Sequence, residues 1–266
     1  MLRLLWNSRS SMMAQQEKLD SISNNIANVN TNGYKKVSTN FKDLMYESID
    51  RAGYPVTDDR EGKATLQNGT GVRVGEWTRN NTQGNLTVTN SSTDLAIDGA
   101  GYFEVNQKDD SKAYTRAGNF QADPSGAIVD ENGNRVSIVD DQGNDVNSAD
   151  GPYNFSKNNF QVDSKGIVTI SENNSNTTVG KIKIVDVVGN NSMISVGDNL
   201  FMPKPGIAVL GSKDYSIMQG YLELSNVDIA AEMTDMLVTQ RAFQLSSSTL
   251  KTADEMWQMA NNLRGR

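Results

Sequence analysis

The sequence predicts an α+β fold in which a helix at each end of the chain flanks a β-rich, antiparallel middle. Apolar residues recur at helical spacing in both terminal segments, and between about 71 and 188 they alternate with polar residues in short runs separated by Gly, Asn and Asp turns. We therefore expect four parts in chain order: an N-terminal coiled-coil helix (1–33), a linker or extended region (34–70), a β-rich middle domain (71–220) and a C-terminal coiled-coil helix (221–266).

The first helix is predicted from Leu2 to about Val29. Its apolar residues recur every three or four positions and so share one face, which we expect to contact other helices: Leu5, Met12, Leu19, Ile22, Ile26 and Val29. Gly33 follows this pattern and suits the left-handed residue that ends many helices. Asn24 and Asn25 have low helix propensity, so we expect this helix to depend on its partners for stability.

After the first helix, residues 34–47 show mixed spacing, and residues 51–70 are polar and contain Gly and Pro, which predicts a loop or linker. Alternation then predicts short strands at 72–74, 86–88, 95–97, 102–105, 126–129, 136–139, 166–170 and 181–188. Residues 171–178 are predicted to form a polar loop. Short strands with frequent turns favour an antiparallel sandwich or partial barrel.

A second helix is predicted from about Ser225 to Leu263, because no Gly or Pro interrupts that stretch. Its main apolar face is expected to be a subunit interface: Ile229, Met233, Met236, Phe243, Leu250 and Trp257. Other apolar residues lie off this face: Leu237, Leu245, Met256, Met259 and Leu263. One partner helix cannot cover both sets, so we expect other copies of the chain to contact this helix.

The composition excludes several classes of function. The chain has no Cys and no His, which removes disulfides, thiolate and imidazole metal ligands and the Ser-His nucleophile pair. The net charge of −7 argues against binding to nucleic acid. An enzyme would have to depend on carboxylates alone, so we expect no enzyme activity and no catalytic residues, metal, cofactor or small-molecule substrate. The apolar run at the N-terminus is too short for a cleaved signal peptide.

A few polar residues could have specific roles. Asp94, Asp98 and the acidic residues near 140 lack the ligand spacing of a calcium loop and are predicted to be solvated turn residues. Arg116 lies beside aromatic residues, where its guanidinium can stack and pair with a carboxylate. We expect Arg241 to form a subunit contact in the helical seam, and Lys35 to help fix how the chain leaves the first helix.

Three segments resemble the motifs of the flagellar basal-body rod and hook proteins, in that family's order. They are residues 19–35 (LDSISNNIANVNTNGYK), residues 94–103 with 114–120 (DLAIDGAGYF and YTRAGNF), and residues 220–228 with 232–233 and 240–243 (GYLELSNVD, EM and QRAF). Within the family, residues 69–86 are most similar to subunits of the distal rod, with the proximal rod next.

The resemblance implies a structural subunit of the bacterial flagellar basal-body rod, which polymerises into a helical tubular drive shaft through a coiled-coil layer of terminal helices. It also implies export by the flagellar type III apparatus to a site outside the cytoplasmic membrane, and partners that include copies of itself, other rod proteins and the hook. The alternative from the residues alone is a secreted β-rich module that binds cell-wall carbohydrate. Only Trp77 and scattered Tyr and Phe residues favour that alternative.

Overall fold

The computed structural model describes residues 2–48, 67–109, 111–140, 142–147, 153–172, 175–187, 189, 192–212 and 214–264. In chain order the elements are α1 (Leu2–Ala27), β1 (Val37–Asp43), β2 (Tyr46–Ser48), β3 (Gln67–Gly69), β4 (Val72–Arg79), β5 (Leu86–Val88), β6 (Leu95–Gly99), β7 (Tyr102–Asn106), β8 (Lys112–Thr115), β9 (Gln121–Ala122), β10 (Ile128–Val129), β11 (Arg135–Val136), β12 (Ile138–Val139), β13 (Phe160–Val162), β14 (Ile167–Glu172), β15 (Ser175–Ile182), β16 (Ile184–Val187), β17 (Met193–Gly197), β18 (Leu200–Pro203), β19 (Val209–Gly211), β20 (Tyr215–Gln219), β21 (Tyr221–Glu223) and α2 (Ile229–Arg264).

The chain divides into two compact units. The helical unit comprises Met1–Asn25, Val37–Thr78 and Ile229–Arg266, and the β unit comprises Ile26–Lys36 and Arg79–Asp228. The α+β class, the two terminal helices and the antiparallel β-rich middle predicted from the sequence are confirmed. None of the helices in the described ranges is both long enough and apolar enough to cross a membrane.

In the helical unit, α1 and α2 pack against each other as an antiparallel pair. The hydroxyl groups of Ser11 and Ser246 are 3.1 Å apart, and Asn25 Nδ2 donates to Glu232 Oε2 at 3.1 Å. Along each helix the two contacts are fourteen residues apart. The contact that comes first in α1 comes second in α2, so the two helices are antiparallel. Two-stranded ribbons, β1 with β4 and β2 with β3, complete this unit. A coiled-coil layer shared between chains remains a prediction.

The helix ends differ from those predicted. The first helix ends at Ala27, two residues before Val29, and turns follow it, with the Val29 amide donating to Ile26 O. The second helix begins at Ile229 rather than near Ser225. The reason is that the Asn226 side chain accepts a hydrogen bond from Lys36 N at 2.7 Å, which holds this segment in the β unit.

The β unit is built from several antiparallel sheets. The described strands of the largest follow the order β17-β18-β8-β7-β11-β10-β9, with β16 pairing to β7 and β19, and a second sheet follows the order β12-β15-β14-β13. Strand β20 pairs with β6, and β21 pairs with β5, so the C-terminal strands close on the first strands of the unit. The core between the sheets includes Phe103 and Phe120, whose rings meet edge to face at 5.2 Å.

Most predicted strands are present, with corrections. The predicted strand at 136–139 is divided between β11 and β12, which belong to different sheets. The prediction of a polar loop at 171–178 is wrong for those residues of this range that the structure describes. Its residues end β14 and begin β15, with Ser171 opposite Asn176 and Glu172 opposite Ser175. Backbone groups form these ladder bonds, so polar side chains do not prevent the pairing. The predicted loop at 51–70 lies mostly outside the described residues, apart from 67–69 in β3 and Thr70 after it.

Four turns of the β unit share the pattern Asp-x-x-Gly, at 123–126, 130–133, 140–143 and 163–166. In each turn the Gly amide donates to the Asp carbonyl at 2.8–2.9 Å, and the Gly has a φ between 80° and 85°. A positive φ favours Gly because it has no Cβ, so the repeated sequence accounts for the repeated turn. Asp140 is therefore a turn residue, as predicted from the sequence.

Candidate functional site

The apolar residues predicted as the α1 interface are only partly covered within the chain. Ile22 is buried, and the other five are half-buried: Leu5, Met12, Leu19, Ile26 and Val29. The fully buried positions of α1 are mostly small or polar instead: Ser8, Ala14, Ser21 and Asn25. Small side chains let two helix backbones approach closely. The larger apolar side chains therefore lie at the margins of the α1–α2 contact.

The predicted interface of α2 is less covered still. Met236, Phe243 and Leu250 are half-buried, whereas Ile229, Met233 and Trp257 are exposed. Arg241 is also exposed, and its Nη1 donates to Gln244 Oε1 of the same helix at 3.2 Å. Within one chain Arg241 therefore lies outside the α1–α2 contact, and its predicted contact between subunits stays a prediction. The buried positions of α2 are again small or polar: Glu232, Thr239 and Ala253.

A second apolar stripe runs along the other side of α2. Leu237, Leu245 and Leu263 expose 63%, 70% and 80% of their surface, and Val238, Met256 and Met259 are also exposed. At about 100° per residue, these six side chains lie within about 100° of one another, away from the buried positions that face α1. Within this chain, nothing among the described residues covers the stripe.

A buried ionic cluster in the β unit centres on Glu223. Its carboxylate oxygens accept from Lys35 Nζ and from Arg116 Nε, each at 2.6 Å, and the three side chains are at most 4% exposed. The Gly84 amide also donates to Glu223 Oε1, at 2.8 Å. Charge-assisted hydrogen bonds of this kind are short and strong. The prediction that Arg116 pairs with a carboxylate is confirmed, and the partner is Glu223.

The two cations of the cluster also bind backbone carbonyls. Lys35 Nζ donates to Thr82 O at 2.9 Å. Arg116 donates to the carbonyls of Ile97 at 2.9 Å, of Gly99 at 2.6 Å, and of Gly101. These bonds fix the loop between β6 and β7 and the segment before β5. The cluster therefore positions backbone as well as neutralising charge.

The cluster joins chain segments that are far apart in sequence. The Gly33 amide donates to Glu223 O at 2.7 Å, and Asn226 Nδ2 donates to Asn80 O at 2.9 Å. Gly33 has a φ of 69°, and a Cβ there would lie 2.6 Å from backbone atoms of Arg116 and Ala117. Only Gly fits this position. Residues 33–36 are thus held between the Arg116 segment and the strand that contains Glu223.

The electrostatics of Glu223 predict an acid-sensitive step in stability. Burial by itself would raise the pKa of Glu223, but Arg116 and Lys35 hold that pKa below its ordinary value. Because the unfolded pKa is about 4.3, ionised Glu223 stabilises the fold above that pH, and this contribution is lost as the pH falls through the folded pKa. We expect the free energy of unfolding to decrease below about pH 4.3.

This pH dependence can be measured by urea unfolding at stepwise lower pH, with the Glu223→Gln variant as the control. The variant cannot titrate at this position, so its free energy of unfolding is expected to change less over the same interval. Identical pH profiles for the two proteins would contradict the assignment.

The described residues contain no group of three or more acidic side chains placed to hold a metal ion. Two features of the described residues remain as candidates for function: the uncovered stripe on α2 and the buried cluster around Glu223. Sequence reasoning missed Glu223. The sequence did contain one signal for this cluster. Each of the three resembling motifs contributes one of its charged residues, Lys35, Arg116 or Glu223, and the negative charge of Glu223 can pair with the two positive charges.

Comparison with known proteins places this chain in a family. Residues 5–35 match the family model "Flagella basal body rod protein", residues 96–198 match "Flagellar hook protein FlgE/F/G D1 domain", and residues 218–263 match "Flagellar basal body rod FlgEFG protein C-terminal". The chain is 36% identical to the flagellar basal-body rod protein FlgG of Buchnera aphidicola subsp. Baizongia pistaciae, over 97% of this chain and 98% of the relative. This chain belongs to the flagellar basal-body rod protein family.

Other members are similar over their full length. The chain is 35% identical to the rod protein FlgG of Borreliella burgdorferi, over 99% of each chain. It is 30% identical to the flagellar hook-basal body complex protein FlhP of Bacillus subtilis, over 99% of this chain and 100% of the relative.

The family is structural, so the prediction that this chain is not an enzyme is confirmed. The carbohydrate-binding alternative gains no support. Lys35, Arg116 and Glu223 each lie in one of the three matched regions.

Proposed function

We propose that this rod-family subunit builds the distal part of the flagellar rod and polymerises through its terminal helices. One observation carries the proposal: α2 has an uncovered apolar stripe opposite the face that packs on α1. Burying a Leu side chain stabilises an interface by about 1.5–3 kcal/mol, so several of them supply a strong reason for helices of other copies to pack there. Head-to-tail contacts of this kind continue into a helical filament instead of closing.

The register of the helix pair adds support. If the pairing of Ser11 with Ser246 and of Asn25 with Glu232 is extended along both helices, Leu2 lies level with Glu255. Residues 256–264 of α2 then extend past the start of α1 by about 13 Å, at about 1.5 Å per residue. Trp257, Met259 and Leu263 are exposed in this extension. Such an apolar end is suited to contact with the next copy along a filament.

The distal position rests on similarity. The relatives of 35–36% identity described above are named FlgG, and residues 69–86 resemble distal rod subunits. Neighbouring rod proteins and the hook are the expected partners, and the flagellar type III apparatus is the expected route to a location outside the cytoplasmic membrane.

The distal position can be tested with an epitope inserted after Gly143. This residue lies in an exposed turn, and no atom lies near its Cβ position. Electron microscopy of labelled basal bodies should place the epitope beside the hook, and labelling at the opposite end of the rod would contradict the distal assignment.

The assembly surface itself is tested by Leu237→Gln with Leu245→Gln. Both side chains are exposed, so the free energy of unfolding of the monomer is expected to change little. If copies bury both residues, self-association is expected to weaken by about 100-fold or more. Sedimentation velocity on the purified proteins measures this, and the double variant should also fail to restore rods in cells that lack the wild-type subunit.

The matched control is Leu210→Gln, because Leu210 is 56% exposed in the β unit and lies outside the stripe. We expect that variant to associate and to form rods as the wild type does. Unchanged self-association of the Leu237 and Leu245 double variant would remove the case for this face of α2.

A further inference from the structure

The α1–α2 contact has an unusual repeat along α2. Glu232, Thr239, Ser246 and Ala253 are spaced seven residues apart; three of them are buried, and Ser246 is half-buried. Thr239, Ser246 and Ala253 are similar in size and carry no charge. A slide of α2 by seven residues in one direction would replace Thr239, Ser246 and Ala253 with Ser246, Ala253 and Ala260. A slide in the other direction would replace Ser246 and Ala253 with Thr239 and Ser246, and would bring Glu232 to the position of Thr239. Packing of small residues alone therefore does not distinguish one register from the next.

Glu232 is the exception in this series. Its side chain is 1% exposed, and its Oε2 accepts from Asn25 Nδ2, which is also 1% exposed. The same Asn25 side chain binds the first residue of β1 at both backbone groups: its Oδ1 accepts from Val37 N at 3.0 Å, and its Nδ2 donates to Val37 O at 2.9 Å. Ser21 also donates to Val37 O, at 2.9 Å. One amide side chain thus links α1, β1 and α2.

We propose that the buried Asn25–Glu232 pair fixes the register of α2 against α1 and β1. In any register shifted by seven residues, Asn25 would face a position without the Glu232 carboxyl group, and both buried polar groups would lose this partner. A buried polar group that loses its hydrogen-bond partner is costly, and more so if it is charged. A single buried polar pair that selects register at some expense of stability has good precedent in helical pairs.

This role also accounts for Asn25 in the last turn of α1, since Asn has low intrinsic helix propensity. The inference concerns pairing within one chain and does not rest on the assembly proposed above. It holds or fails in the monomer, whereas assembly is tested on the opposite face of α2.

The chain has no Cys, so register can be trapped with introduced disulfides. Ser11→Cys with Ser246→Cys reports the observed register, because the two hydroxyl oxygens are 3.1 Å apart. Ser11→Cys with Thr239→Cys, or with Ala253→Cys, reports slides of seven residues in either direction. Disulfides require Cα atoms about 4.4–6.8 Å apart, so each pair cross-links in one register only. Intrachain products are counted at low protein concentration by mass spectrometry after proteolysis.

With the native pair present, we expect the cross-link from 11 to 246 to dominate. In Glu232→Met, which removes the acceptor but keeps the length of the side chain, the shifted cross-links should rise by about 10-fold or more, which corresponds to losing about 1.4 kcal/mol of register preference. In Glu232→Gln, whose amide oxygen still accepts from Asn25, the native pattern should persist. Thr239→Val is the matched control, because the Thr239 hydroxyl donates to Asp235 O of its own helix at 2.6 Å and, within the described part of the chain, forms no hydrogen bond to α1.

The stability of Glu232→Met separates register selection from ordinary packing. If the pair selects register, the thermal unfolding of the helices should be unchanged or raised, because apolar replacement of buried polar pairs is often neutral or stabilising. Lower thermal stability with only the 11-to-246 cross-link would overturn the proposal and leave the pair a purely stabilising contact. If Glu232→Met does not fold, Glu232→Gln still decides, since shifted cross-links in that variant would contradict the role of the accepted hydrogen bond.

Discussion

Replacing Glu223 by Gln is expected to lower the free energy of unfolding of the β unit by about 3–5 kcal/mol. The substitution preserves shape and one acceptor oxygen but removes the charge between Lys35 and Arg116, which are 3% and 4% exposed. Two buried cations then repel each other without a counter-charge, and neither can reach water without moving backbone. Losing one member of a buried ion pair is costly because the partner left behind remains desolvated.

The measurement needs a probe of the β unit itself. All three Trp residues, Trp6, Trp77 and Trp257, belong to the helical unit, so Trp fluorescence reports on the wrong part of the chain. Hydrogen exchange of the β6 and β7 amides at increasing urea concentration reports on the unit that contains the cluster. We expect faster exchange of these amides in the variant.

Glu104→Gln is the matched control for Glu223→Gln. Glu104 is also buried between two cations, with Lys112 Nζ at 3.0 Å and Lys183 Nζ at 3.1 Å, but these side chains are 56% and 43% exposed. Both Lys side chains line an open cleft of about 620 Å³. They can therefore rotate toward the solvent when the charge of Glu104 is removed. We expect that variant to lose about 1 kcal/mol. Equal losses at the two sites would show that burial of the cations does not set the size of the effect.

A second variant tests the cause. Lys35→Met in the Glu223→Gln background removes one of the two uncompensated cations and places an apolar side chain of similar length in the buried site. We expect part of the lost stability to return, with a coupling free energy of about 0.5–3 kcal/mol. Additive losses would mean that Lys35 and Glu223 stabilise the fold independently.

Periodicity predicted the elements of this fold that depend on local pattern. The apolar spacing located both helices, and the Asp-x-x-Gly turns of the β unit follow from the φ that Gly permits. Pairing of distant strands was not predictable, because β20 with β6 and β21 with β5 are joined by backbone bonds that any sequence can form. The polar hairpin of β14 and β15 was predicted as a loop for the same reason.

The candidate site was predictable in part. Sequence spacing predicted that α2 carries more apolar surface than one partner helix covers, and the exposed apolar residues of α2 agree with this prediction. It placed large residues such as Leu19 and Met233 in the helix interface, whereas the buried positions of the two helices hold small residues such as Ser21 and Ala253. Charged residues are ordinarily expected at the surface, so a buried Glu in β21 carried no local signal. Its burial depends on two cations brought in from segments more than 100 residues away in sequence.

Gly33→Ala is expected to destabilise the β unit by at least about 3 kcal/mol, from two separate causes. The φ of 69° disfavours any residue with a Cβ by about 1–2 kcal/mol. The new Cβ would also lie 2.6 Å from Arg116 C and Ala117 N, which are backbone atoms that cannot rotate away. The chain must shift, and the 2.7 Å bond from Gly33 N to Glu223 O is then lost, for about 1–3 kcal/mol more.

The control for conformation alone is Gly133→Ala. Gly133 has a φ of 80°, but its nearest neighbour would be Lys108 Cε at 3.9 Å, the far end of a flexible side chain. Only the backbone term applies there, so we expect a loss of about 1–2 kcal/mol. The difference between the two Ala variants in urea unfolding measures what the close approach at Gly33 contributes.

Asn substitutions at the same two positions separate strain from contact. Asn adopts a positive φ more readily than Ala does, so Gly133→Asn should be milder than Gly133→Ala. At position 33 the Cβ of Asn meets the same backbone atoms as that of Ala, so Gly33→Asn should be about as damaging as Gly33→Ala. If Asn instead restored stability at position 33, the requirement there would be conformational only. The close packing of residues 33–36 against Arg116 would then not be what holds this segment beside Glu223.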